Sequence, residues 1–60
     1  MTITFRKPNG SSYWVYCESM ERDIDGTYLL DGVVNNSDNH GPCSGEEIPA
    51  TWEIVKIKNT

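Results

Sequence analysis

Ser12–Ile24, SYWVYCESMERDI, followed by the pair Asp25-Gly26, is the stretch whose reading decides the fold. It shows no apolar stripe at helical spacing, and its β-branched and aromatic residues favour a pleated strand. Within it, Tyr13, Val15 and Cys17 fall on one face, and Trp14, Tyr16 and Met20 on the other. A strand here therefore carries large apolar side chains on both sides, although only one side can join the core. Asp25-Gly26 is the favoured chemistry of a two-residue type I′ turn, which predicts pairing of Met20 to Ile24 with Thr27 to Asp31.

The same pattern continues outward in both directions. Upstream, Ile3 and Phe5 alternate with Thr2, Thr4 and Arg6, a half-buried first strand turned by Pro8-Asn9-Gly10. Downstream, Asp31-Gly32 predicts a bulge within one strand from Thr27 to Asn35, and a bulge bends a sheet toward closure. Asn35 to Glu47, NNSDNHGPCSGEE, reads as a long polar loop, mobile or functional. Pro49 confines Ile48 to Ala50 to an entry or edge position, and Thr51 to Lys58 forms the last strand. In that strand strict alternation puts Val55 and Ile57 on one side and Trp52, Ile54, Lys56 and Lys58 on the other. The expectation is one all-β domain over residues 1–60, with residues 36–47 as the loop. It is a four- to five-stranded antiparallel meander curling into a partly open barrel, first strand against last, with no helix.

Composition agrees and narrows the function. Ile, Val and Thr number fourteen against three for Ala and Leu together, a balance that suits strands. Sixty residues leave room for one small core, which excludes multi-domain enzymes and large cofactor folds. No apolar run approaches the roughly 18 residues of a membrane helix, and the N-terminus has no leader pattern, so a cytoplasmic protein without membrane attachment is expected. The size suits a complete small reading frame of the kind carried by phage and accessory genomes. A net charge of -4 opposes unspecific attraction to phosphate and favours positively charged partners.

Candidate chemistry is sparse. Cys17, His40 and Cys43 with a carboxylate could form a zinc set, but the paired-knuckle spacing of structural zinc sites is missing. A Cys17–Cys43 disulfide would suit so small a chain, yet nothing points to an oxidising compartment, and free thiols are expected. Asp23-x-Asp25-Gly26 lacks the remaining ligands of a calcium loop and is read as turn chemistry. His40 and Cys43 have no evident third group to orient them, and the paired carboxylates Glu46-Glu47 have no cleft. No enzyme, metal or cofactor is expected.

What remains is surface. With no amphipathic helix to cover the second face of the sheet, several of the six aromatic residues should be exposed, unless strong twist and curling wrap both faces partly into one core. Trp14, Tyr16 and Trp52, with Tyr28, are the expected anchors, because Trp and Tyr dominate binding hot spots. Glu18, Glu21, Asp23 and Asp25, with Asp31, form an acidic hairpin that would join them at one interface. The sequence thus predicts a non-enzymatic protein-interaction module, an inhibitor or adaptor of a host or partner protein, with self-association through the same face as a variant. A single-stranded nucleic-acid or oligosaccharide binder using the rings as a stacking platform, with Trp52, Ile54, Lys56 and Lys58 as its strip, is the alternative. A small structural subunit of an assembly is the third.

Overall fold

The computed structural model describes residues 1–38 and 42–59, with Cys43 described by its backbone only. All described regular structure is strand: β1 Thr2–Arg6, β2 Ser12–Tyr16, β3 Ser19–Arg22, β4 Tyr28–Val33, β5 Asn35–Asn36, β6 Cys43–Ile48 and β7 Glu53–Lys58. The strands form two antiparallel sheets, β5-β2-β1-β7 and β3-β4-β6. The first and last strands pair, as the sequence predicts. The two sheets share a core, and among the described residues no strand pairing closes them into a barrel. No helix of the described residues is long and apolar enough to cross a membrane.

More strands appear than the sequence suggests because two long ones turn a corner together. The chain Ser12–Arg22 passes from one sheet to the other at Cys17-Glu18, and its partner does so around Gly32 and Val34. Pairing continues round the bend: the Glu18 amide donates to the carbonyls of Asp31 at 3.0 Å and Gly32 at 3.2 Å, and the Val34 amide donates to Tyr16 at 2.9 Å. Bent strands that change sheets are how orthogonal β packings make their corners. Gly32 permits the bend with φ of +64°, and a Cβ there would lie 2.7 Å from Cγ of Glu18. Gly32→Ala is therefore expected to cost about 1–2 kcal/mol for the left-handed backbone alone. The urea midpoint should fall at unchanged slope, and adding Glu18→Ala should restore only part of the loss, since the Cβ of residue 18 remains 2.9 Å from the new one. Full recovery in the double variant would show that the clash, not the backbone, was the cost.

The two tight hairpins share one design, which corrects the predicted turn. Gly10 donates to Lys7 at 2.8 Å and Lys7 to Ser11 at 2.8 Å; Gly26 donates to Asp23 at 2.9 Å and Asp23 to Thr27 at 2.8 Å. Each loop thus has three residues, with a left-handed glycine last, at φ +90° and +92°. A type I′ turn would need positive φ at Asp25 as well as Gly26. Instead the Asp25 carboxylate accepts from the Thr27 amide at 2.9 Å, as Asn9 Oδ1 accepts from Ser11 at 2.9 Å. The bond from Thr27 also holds the Asp25 carboxyl below its ordinary pKa. The register slips by one residue from the predicted one, so that Met20 faces Leu30 and Arg22 faces Tyr28.

Half of the expected long loop is sheet. Cys43–Ile48 pairs with β4, Gly45 opposite Asp31 and Glu47 opposite Leu29. Its polar composition is that of an edge strand, where charge on the solvent face discourages further pairing.

The core lies between the sheets. Ile3, Phe5, Tyr13, Val15 and Cys17 come from one side, and Tyr28, Leu30, Val33 and Ile48 from the other. Phe5 contacts Tyr28 and Trp52 at centroid distances of 5.4 and 6.3 Å, and Tyr13 meets Trp52 edge-on at 5.4 Å. Such tilted contacts add to the burial of area. A polar tie crosses the same space: Glu46 on β6 accepts from the Tyr13 hydroxyl and, at 3.5 Å, from the amide of buried Asn36 on β5. Its neighbour Glu47 is exposed.

Candidate binding face

Every second residue of β1 points away from the core, and the registers carry that alternation across the sheet. Thr2 stands between Tyr16 and Lys58, and Thr4 between Trp14 and Lys56. A third row sets Arg6 between Ser12 and Glu53. The outer face of the four-stranded sheet is therefore a ladder, with aromatic rings along one side, small threonines on the floor and lysines along the other. Trp14 and Tyr16 are 39% and 41% exposed, enough to offer ring area and enough contact to hold the rings in place. The backbone under Trp14 is pinned from the turn just after β5, because its amide donates to Ser37 Oγ at 2.6 Å and its carbonyl accepts from the Ser37 amide at 2.9 Å.

The lysines reach this face through a bulge. Between the pairs Thr4–Lys56 and Phe5–Ile54 the register shifts, leaving Val55 as the extra residue. Ile54 then packs against the core, and Lys56 and Lys58 lie opposite the outward threonines. Strict alternation grouped Lys56 and Lys58 with Trp52 and Ile54; the bulge parts them.

The expected anchors divide accordingly. Trp14 and Tyr16 come together on the outer face. Tyr28 is buried, and half-buried Trp52 belongs to the inter-sheet ring cluster. Lys7 lies over Trp52 at 5.1 Å and Arg22 over Tyr28 at 4.6 Å, cation–π contacts that place those two cations against core rings. The other three of the chain's five basic residues, Arg6, Lys56 and Lys58, all stand on the face that exposes Trp14 and Tyr16.

Glu18, Glu21, Asp23 and Asp25 are exposed but lie elsewhere, at the corner, on β3 and in the β3–β4 turn. On the outer face of the three-stranded sheet Glu21 and Glu47 flank Leu29, with Asp31 in the next row between Ser19 and Gly45. Rings and acidic hairpin, expected at one interface, are thus on different sheets. The net charge of -4 hides this segregation: one sheet face carries three cations and Glu53, the other only carboxylates.

Cys17 is a free thiol in the core, where burial raises its pKa, so it is a packing residue. His40, needed for the zinc set, lies outside the described residues, as does the side chain of Cys43. Among the described residues no group of His, Cys, Asp and Glu is placed to hold a metal ion. Arg6, Thr2 and Thr4 are the members of the face that the ring-based reading overlooked, although the alternation of Met1 to Lys7 already turned them outward. Comparison with protein-family models, with curated proteins and with solved structures finds no match for this chain.

Proposed function

We propose that this protein is a small non-enzymatic binding module that engages an anionic partner through the outer face of the four-stranded sheet, with Trp14 and Tyr16 as its anchors. The observation that carries the reading is the gathering of Arg6, Lys56 and Lys58 beside the two exposed rings. Exposing that much aromatic surface costs stability unless a partner covers it. An acidic surface on a host protein, met by an inhibitor or adaptor, and a nucleic-acid strand both supply the required chemistry. The reading reverses the sign of partner that net charge suggests.

Magnitudes support the reversal. The molecule measures 25 × 25 × 20 Å, and at 0.1 M salt the Debye length is about 10 Å. Carboxylates on the far sheet are then largely screened from a ligand on the near one, and the local cations govern its approach. At about 0.05–0.1 M salt the protein is expected to be retained on immobilised heparin despite its acidic composition. Lys56→Glu with Lys58→Glu should abolish retention, and Glu21→Gln with Asp31→Gln should leave it unchanged. Passage of the wild-type protein straight through the column would refute the reading.

A further inference from the structure

Resting on that reading of the face, we infer that its anionic partner is a single-stranded nucleic acid, two successive nucleotides of which occupy the rows Trp14–Thr4–Lys56 and Tyr16–Thr2–Lys58. Residues two apart on a strand repeat at roughly 6.8 Å, and side chains two strands away are roughly 9.6 Å apart. Each row therefore offers an aromatic plane and, across a floor of one threonine, a cation. The two rows repeat in the same sense. A nucleotide matches this unit for unit: its base is a flat ring that stacks on Trp or Tyr, and its phosphate is the anion, joined by a sugar that spans the floor.

Other ligands use only part of the ladder. A neutral oligosaccharide stacks on the rings and leaves the lysines idle. An extended acidic peptide also repeats every two residues, but each repeat would have to bring both a flat group and a carboxylate to the same face. Duplex DNA offers the phosphates and keeps its bases stacked away from the rings. Arg6, one row beyond Lys56, extends the cationic side toward a third phosphate, with Glu53 beside it reducing that gain.

The test is a titration of fluorescently labelled oligothymidylate of eight residues at about 0.1 M salt, followed by anisotropy and by Trp emission. Binding is expected in both readouts, with the eight-base-pair duplex weaker. Two to three phosphate contacts predict a slope of log K against log salt of about -1.4 to -2.1 above that concentration. Trp14→Ala should weaken binding by about fivefold or more, the lower bound for one lost base stack. Trp14→Phe should retain it by anisotropy while abolishing most of the emission change. Lys56→Gln with Lys58→Gln should flatten the slope by about 1.4.

Absence of an anisotropy change up to millimolar protein would overturn the inference, as would equal affinity for duplex or an unaffected Trp14→Ala variant. The heparin column separates the two levels of argument. Retention there that depends on Lys56 and Lys58, with no response to oligothymidylate, removes the nucleic acid and keeps the anion-binding face. Loss of both removes the face itself.

Discussion

Phe5→Ala is expected to remove most of the stability of the fold and to lower its urea midpoint by half or more, whereas Trp14→Ala is expected to fold with a midpoint close to wild type. Phe5 is fully buried and touches both Tyr28 and Trp52, so truncation removes a ring from the junction of the two sheets. Losses of buried Phe run to about 3–5 kcal/mol. A domain of this length has roughly 3–9 kcal/mol in total. Trp14, by contrast, gives up a ring whose outward side faces solvent. Circular dichroism with urea titration of both variants would show the contrast, and two equal midpoints would place Trp14 in the core and undo the proposed face. Tyr16→Ala should follow Trp14, and Tyr28→Ala should follow Phe5.

Glu46→Ala should produce the next largest loss, about 1.5–3 kcal/mol, the range for hydrogen bonds to a charged group. Glu46 is half-buried and joins β6 to Tyr13 on β2 and Asn36 on β5. Its removal takes away this polar tie between β6 and the β2–β5 edge. Glu46→Gln keeps an oxygen acceptor for the Tyr13 hydroxyl without the charge and should lose clearly less. The signature that separates this tie from general packing is local. Amide exchange of Trp14, Tyr16 and Ser37, on the β2–β5 edge, should accelerate more in Glu46→Ala than exchange in the β1–β7 pair. Uniform acceleration across both sheets would mean that the residue acts only through global stability.

The all-β architecture, the antiparallel pairing of the two end strands and the solvent exposure of Trp14 and Tyr16 were legible in the chain. Alternation over Thr2–Arg6 and Ser12–Tyr16 assigns Ile3, Phe5, Tyr13 and Val15 to one side and Thr2, Thr4, Trp14 and Tyr16 to the other, and the registers keep both sets together. The strand Cys43–Ile48 was hidden because a polar edge strand has no apolar period to announce it. The turn Pro8-Asn9-Gly10 was legible, but the three-residue length of the loop Ile24-Asp25-Gly26 was hidden for a different reason. Asp-Gly favours the two-residue loop but also ends three-residue loops with the glycine left-handed, and the choice between them rests on the angle that Asp25 adopts.

Local chemistry by itself settled that the chain is strand rather than helix and, for Thr2–Arg6, which face is apolar, because the pleat ties every second residue to one side. It could not settle which outward faces share a surface, since that follows from two long-range events. The corner at Cys17-Glu18 and Gly32 sends one hairpin into both sheets and carries the acidic residues away from Trp14 and Tyr16. The bulge at Val55 breaks the alternation once and turns Lys56 and Lys58 toward those rings while Ile54 joins the core. Both depend on packing between segments far apart in the chain, where burying Phe5, Trp52 and Ile54 together outweighs the regularity of any single strand.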